Sequence, residues 1–503
     1  MSDIDVSGLI EDLLYYAKEK LDLGREDAIY ARNQLLELFE VEPATRKGEE
    51  KDFQKEVLDK LIEYAFGENM IAPGEEIRFE TRIMGFVTPS CGLVARTFEE
   101  FRDNLGIKAA TDYLYNISIA SNYIRLCDVK KNICWTTEGK YGRVGITINL
   151  SKPEKDLKQV LAEKNFKGIK YPKCLLCLEN LGFPGTLTHP ARQTLRVVPI
   201  VLNGEKWYLQ YSPYVYYDEH CIALSEEHRP MKISPATFAR LLDFVEIFPY
   251  YFLGSNADLP IVGGSILSHD HYQGGKKVLP MFSRPMRETV FRTDSVKVGI
   301  KDWYNSVVEV RGTDKEEVQK IADHVLEKWI DYSDKSVGIY AYTDDRHNTI
   351  TPIASKDGDE YVLDLILRNN RTDEKHPYGI YHPTEDMHNI KKEGIGLIEA
   401  MGLFILPGRL KSEIMEMIEI LTSGDLDFAA INENPRLSKH LGMLAQIVAE
   451  NEDNITRDNA QKLILRKIEE ICFKILECTA VFKNTEEGQE AFRKFLYSLN
   501  FMA

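Results

Sequence analysis

Residues 263–275, Gly-Gly-Ser-Ile-Leu-Ser-His-Asp-His-Tyr-Gln-Gly-Gly, hold the densest collection of chemically active side chains in this sequence. In an extended strand, residues two apart share a face. His269, His271 and Gln273 then project together, while Asp270 and Tyr272 point the other way. Two imidazoles and a carboxamide, bracketed by Gly263-Gly264 and Gly274-Gly275, suit an anion that approaches the backbone closely. Glycine removes side-chain bulk there and lets amide N–H groups turn toward a ligand. A histidine in such a place can be a metal ligand, a general base or a nucleophile. As a nucleophile toward phosphorus it must be neutral, which an ordinary pKa of about 6.5 permits near pH 7. The plain alternative is a histidine pair that caps the sheet or holds a structural metal.

A second pattern is Cys174-Leu-Leu-Cys177. A zinc site needs four ligands, so the pair alone is equally well a reduced tight turn. Arg192 and Arg196 flank predicted strands and could hold phosphate, although a rim salt bridge explains Arg196 as well. Asn256 and Asp258 precede the first glycine pair, where they could meet ribose or phosphate or simply form a solvated turn. His376, His382 and His388, with His347 upstream, make a looser cluster without a second His-x-His. Lys391 and Lys392 suit a sugar phosphate or a solvated helix end.

The elements that must carry these residues can be read from periodicity. Residues 7–20, 26–39 and 51–66 place apolar side chains at helical spacing, with Ser7 as the expected N-cap of the first. Residues 143–149, 195–202 and 206–211 read as strands, the last two joined by Asn203-Gly204, a hairpin-turn dipeptide. Residues 235–253 read as a helix opened by Ser234 and Pro235. Further helices are expected at 315–332, 410–422, 438–450 and 459–479, and strands at 338–343 and 360–367. Strands clustered between helices, rather than alternating with them, predict an α+β fold with antiparallel sheets. The boundaries expected are 1–105 for a helical N-terminal segment, 106–295 for the half with the histidine motif, and 296–503 for a C-terminal half. No glycine-rich phosphate loop of either standard type is present in the sequence.

A length of 503 residues exceeds one ordinary core, and 44 % apolar with 28 % charged residues is the composition of a globular protein. A net charge of −16 argues against nucleic acid or an acidic membrane surface as partner. Without a bilayer-length apolar run or signal pattern, the expectation is a cytoplasmic protein. Eight cysteines are too sparse for a disulfide framework.

His-x-His-x-Gln after a glycine-rich apolar run resembles the active-site motif of the galactose-1-phosphate uridylyltransferases, in the histidine-triad superfamily. The resemblance extends to residues 142–156, 259–275, 346–354 and 388–410, and is strongest to the longer bacterial type. It implies two histidine-triad-like halves with antiparallel sheets, and a homodimer. It also implies ping-pong transfer of a uridylyl group from UDP-glucose to galactose 1-phosphate. By position, His271 would be the nucleophile, Gln273 the hydrogen-bond donor to the phosphoryl oxygens, and His269 their partner in the motif. Arg192, Asn256, Asp258, Gly263, Gly264 and Ser265 would contact substrate. In the shorter branch of the family a cysteine pair joins two histidines around zinc. The matching positions here are Cys174, Cys177, His228 and His269, with His220 as a competing third ligand. Such a zinc would be structural, and no organic cofactor is expected. Rival readings are another histidine-triad nucleotidyltransferase, a dinucleoside-polyphosphate phosphorylase, or a non-catalytic protein that binds zinc and UDP-sugar.

Overall fold

Asn203 and Gly204 have φ of 50° and 71°, so both central residues of a two-residue turn are left-handed, as a tight hairpin requires. That hairpin joins β3 (Val198–Leu202) to β4 (Glu205–Tyr211) and starts a ten-stranded antiparallel sheet in a computed structural model of the protein. The structure describes residues 4–151, 171–186, 188–264, 266–423, 427–451 and 454–501.

The sheet is built twice over. β5 (Cys221–Ser225) extends the first hairpin into a meander, a helix (Pro235–Ile247) follows, then β6 (Tyr251–Gly254) and β7 (His271–Lys276). β7 inserts between β5 and β6. The second half repeats this with β8 (Met286–Arg292), β9 (Val296–Lys301) and β10 (Val307–Gly312), a helix (Lys315–Ile330), then β11 (Asn348–Asp357) and β12 (Glu360–Asn369). The order β3-β4-β5-β7-β6-β11-β12-β10-β9-β8 is therefore the same five-strand unit read outward from a central β6–β11 contact. This is the α+β architecture of antiparallel sheet units that the sequence predicts.

Alternation along the strands gives the sheet two apolar faces. One packs against the two crossover helices and the N-terminal helices, of which Val6–Leu21, Arg25–Phe39 and Glu76–Val87 are three. Tyr272 belongs to this face, stacked on Trp207 with ring centroids 4.9 Å apart. The Tyr211 hydroxyl donates to the Thr111 carbonyl at 3.1 Å, joining the helical segment to the same interior. The other face carries Phe252, Ile353 and Ile366 and is covered by a three-stranded sheet and the C-terminal helices Leu410–Thr422, Leu441–Asn451 and Ala460–Thr479. In the small sheet β1 (Ile133–Gly139) and β2 (Gly142–Asn149) are antiparallel, and β13 (Leu403–Pro407) runs parallel to β2. Among the described residues no helix is long and apolar enough to cross a membrane.

Several boundaries differ from the sequence reading, each for a local reason. The first helix is capped by Asp5, whose carboxylate accepts from the Gly8 amide at 2.9 Å, and Ser7 lies inside it. The 235–247 helix keeps its Ser234–Thr237 capping box but stops before Phe248-Pro249, because a residue preceding proline is pushed out of helical conformation. The apolar residues after it become β6. Residues 338–343 bury Ile339 and Ala341 alternately but make only isolated bridges, Asp334 to Ile339 and Tyr342 to Arg346. Their period-two pattern reflects burial without a ladder partner. Ser438–His440 is a 3-10 turn that precedes the helix expected there.

Candidate active site and metal centre

Cys174 and Cys177 sit in a tight knuckle: the Cys177 amide donates to the Cys174 carbonyl at 3.3 Å and the Leu176 amide to Cys174 Sγ at 3.4 Å. Asn180 braces it, its amide donating to the carbonyls of Cys174 (2.9 Å) and Cys177 (2.7 Å), while His189 donates to Asn180 Oδ1 at 2.6 Å. The knuckle faces two histidines. Cys174 Sγ lies 3.3 Å from His269 Nδ1, Cys177 Sγ lies 3.1 Å from His228 Nδ1, and the two sulfurs are 3.5 Å apart. All four ligand atoms fall within 4.8 Å of one another.

Metal–sulfur bonds of about 2.3 Å and metal–nitrogen bonds of about 2.0–2.1 Å give a tetrahedron with edges of about 3.4–3.8 Å. The three separations of 3.1–3.5 Å given above are close to those edges. His269 Nε2–H donates to the Ser225 carbonyl at 2.9 Å, which leaves Nδ1 bare and directed at the sulfurs. Burial, with Cys174 beside it, pushes the Cys177 thiol up to about 11, so a cation is what would hold Cys177 as a thiolate. The donor set fits a structural zinc. His220 does not join it.

His271 opens β7, where it pairs with Leu224 of β5. The expectation that His269 shares its strand face is corrected here: His269 precedes the strand, and its ring turns to the cysteines. The two histidines remain linked, because His271 Nδ1–H donates to the His269 carbonyl at 2.8 Å. That bond fixes the tautomer and leaves Nε2 with a free lone pair. Burial holds the His271 imidazolium down at about 4, so the ring is neutral at ordinary pH. Two residues on, Gln273 is half-buried, cross-strand from Ile222 and Gly254, and its Oε1 accepts from His220 Nε2 at 3.2 Å.

Asp270 and Tyr272 point to the opposite face, as alternation requires. Asp270 lies 3.5 Å from Arg229 Nε and 3.7 Å from Arg240 Nη1, and burial outweighs both cations to raise its carboxyl to about 6. The glycines are needed for packing. A Cβ on Gly263 would stand 2.6 Å from the carbonyls of Ala257 and Leu259, and one on Gly264 would stand 2.5 Å from Asn256 Nδ2. On the far side, a Cβ on Gly274 would reach within 2.4 Å of the Phe252 carbonyl.

The other sequence-picked residues separate into groups. Asn256 is buried, and its Oδ1 accepts from the Leu397 amide at 2.8 Å, tying the 394–397 loop of the second half to the glycine loop of the first. Asp258 accepts from the Ile233 amide, Arg346 and the Thr349 hydroxyl. Arg192 lies on the segment bearing the knuckle, its guanidinium 5.7 Å from the Tyr123 ring centroid. Ser265 lies outside the described residues. Arg196 is buried and, among the described residues, donates to carbonyls, those of Thr88, Pro89, Gln193 and Leu195, so neither a phosphate contact nor a rim salt bridge describes it there. Lys391 is buried against Glu399 Oε1 at 2.8 Å, which rules out a solvated helix end. His376, His382, His388 and His347 form no ligand cluster among the described residues. Sequence reasoning missed the Asn180–His189 brace and the His220–Gln273 contact; neither has a spacing signal, since their partners are 9 and 53 residues apart.

Comparison with known proteins places this geometry in context. Residues 22–230 match the family described as galactose-1-phosphate uridyl transferase, N-terminal domain, and residues 244–429 match its C-terminal domain. A galactose-1-phosphate uridylyltransferase of Caldanaerobacter subterraneus subsp. tengcongensis is 46 % identical, covering 100 % of this chain and 99 % of its own. Proteins of the same name from Fusobacterium nucleatum and Bacillus subtilis are 45 % and 44 % identical, covering 98 % and 97 % of this chain and 99 % and 97 % of their own.

Proposed function

Since the chain belongs to the galactose-1-phosphate uridylyltransferase family, we propose that it transfers a uridylyl group from UDP-glucose to galactose 1-phosphate, through a covalent intermediate on His271. The products are glucose 1-phosphate and UDP-galactose. A cytoplasmic homodimer, acting without organic cofactor, belongs to the same reading.

The observation that carries the nucleophile is the hydrogen bond from His271 Nδ1 to the His269 carbonyl. With Nδ1 protonated and the ring neutral, the Nε2 lone pair attacks the α-phosphorus of UDP-glucose. The bond from that phosphorus to the bridging oxygen breaks, and glucose 1-phosphate leaves as a phosphate that needs no added proton. The ring gains positive charge as the N–P bond forms, and the His269 carbonyl already faces the proton that bears it. Galactose 1-phosphate then attacks the same phosphorus through a phosphate oxygen, and the N–P bond breaks. Two in-line displacements give net retention at phosphorus. Gln273 supports this by donating from a neutral amide to the phosphoryl oxygens. It adds no charge that would hold the intermediate too tightly.

Zinc bound by Cys174, Cys177, His228 and His269 supplies a structural tie rather than a reacting group. His269 serves twice in that scheme, its ring toward the ligand set and its carbonyl toward His271. Arg192, Asn256, Asp258, Gly263, Gly264 and Ser265 are the residues proposed to surround the phosphates and ribose. Asn256 and Asp258 do so in part by holding the glycine loop.

Intact-protein mass after mixing with UDP-glucose alone tests the proposal. A uridylyl mass on the peptide bearing His271, discharged by galactose 1-phosphate, is expected. Turnover that needs both substrates present, with no adduct, would replace the ping-pong scheme with direct transfer.

A further inference from the structure

We infer that His220 is a positioning residue for Gln273: its Nε2–H donates to Gln273 Oε1 and so turns the amide nitrogen toward the transferring phosphoryl group. The inference rests on the uridylyl-transfer reading and adds to it the group that orients Gln273. The two ends of a glutamine amide have nearly the same shape, and only their hydrogen-bond partners decide which way round they sit. Reversed, the amide would present lone pairs to the anionic phosphoryl oxygens and oppose the charge it should stabilise.

The tautomer follows from the contact. A bare Nε2 facing Oε1 at 3.2 Å would set two lone pairs against each other, so Nε2 carries the proton. Nδ1 is then bare, and it is the ring atom buried without a hydrogen-bond partner among the described residues. Burial keeps the imidazole neutral by lowering it to about 4. A ring that gives one hydrogen bond and takes none is an orienting group; packing alone would be met by a leucine without an orphaned nitrogen.

The backbone around His220 is over-determined in the manner of a functional clamp. Val215 and Glu219 have φ of 41° and 53°, a left-handed conformation that a β-branched valine rarely adopts. The His220 amide donates to the Tyr217 carbonyl at 3.1 Å, and the His220 carbonyl accepts from Ser212 at 2.8 Å. The ring packs against Tyr216 and Tyr217, with centroids 5.3 Å and 4.7 Å away. Tyr217 in turn donates to the Gly274 carbonyl at 3.1 Å, and Glu219 is fixed by Tyr251 and Lys276, so the turn is fastened to β7 itself. The strain is held where it sets the angle of one imidazole.

A double-mutant cycle reads the coupling. His220→Leu should lower the rate of uridylylation by UDP-glucose about tenfold or more, with KM for UDP-glucose little changed. In a Gln273→Ala background the same change should cost almost nothing. His220→Gln, which can place an amide N–H near the lost Nε2–H, should recover much of the rate. An equal loss in both backgrounds, or a loss carried by KM, would overturn the assignment. Histidine ¹⁵N spectra of the wild-type protein supply an arm independent of turnover and of any variant's folding. An Nε2–H tautomer at His220 is expected, and an Nδ1–H tautomer would overturn it. A wild-type protein that never exchanges hexose phosphates would instead defeat the transfer reading, which those spectra do not depend on.

Discussion

β7 and β12 occupy the same place in the two halves of the sheet, each inserted between the third strand of a meander and the strand that follows a crossover helix. Counting outward from the two-residue tips Asn203-Gly204 and Asp294-Ser295, the latter closed by the Thr293 amide donating to the Val296 carbonyl, aligns His271 with Asp364 and its neighbour Leu224 with Glu309. The equivalent positions are used in opposite ways. His271 is held by one nitrogen and leaves the other bare. Asp364 and Glu309 close on Lys301, whose Nζ lies 3.1 Å from Asp364 Oδ1 and 2.7 Å from Glu309 Oε2. Arg311 adds a second cation at 3.4 Å from Glu309. This cluster lies beside a cleft of about 1200 Å³, yet its charges answer one another. Concavity therefore does not distinguish the two halves; the oriented imidazole with an unprotonated nitrogen does.

The comparison can be broken most severely at His271. His271→Asn should reduce transfer by at least about 10⁴-fold while UDP-glucose still binds, as expected for loss of a covalent nucleophile. Mass spectrometry should find no adduct, and a uridylyl group on another residue would move the nucleophile. In the second half the large effect should fall on stability. Lys301→Met strands two buried carboxylates and should cost about 3–5 kcal/mol in denaturant unfolding, with the His271 adduct still forming in protein that remains folded. Loss of adduct without loss of stability would mean that the second half takes part in the chemistry.

Cys174→Ser should act between these extremes. Zinc per chain by elemental analysis should drop, with a thermal midpoint lower by a few degrees, about 1–2 kcal/mol. Wild-type protein purified without chelator and carrying no zinc would remove the metal assignment. The last effect, visible only as a pH dependence, is expected from Asp364→Asn. Burial, opposed by Lys301 and reinforced by Glu309, raises this carboxyl from 3.8 to about 6. A carboxyl raised on folding favours the native state when protonated, so its contribution is complete below pH 3.8 and is lost as pH rises through about 6. Wild type should lose stability relative to the variant between those values. A flat difference would show that Lys301 keeps both acids ionised in the folded protein.

Much of this was legible in the sequence. The Asn203-Gly204 turn, the Ser234–Pro235 helix start and the alternation of 360–367 are local signals, and local sterics enforce them wherever the chain sits. The Cys174, Cys177, His228 and His269 set was read by family likeness and is what the fold assembles. The errors fall where a pattern has two solutions. Residues 338–343 alternate without a partner strand, and Tyr251–Gly254 continues a helical-looking run as a strand beyond Pro249. Lys391, a lysine next to a lysine, reads as solvated, yet it is buried against Glu399.

The sequence alone determined the hairpin turn at Asn203-Gly204, the type of most elements and the residue kinds able to attack phosphorus or bind a soft cation. These depend on φ preferences, side-chain period and functional-group chemistry, all of which act within a few residues. Only the tertiary structure decided which nitrogen of His271 is free, that His269 leaves the strand to meet Cys174, and that His220 meets Gln273 across 53 positions. Hydrogen bonds are directional and short, so their partners are fixed only when the whole sheet has closed.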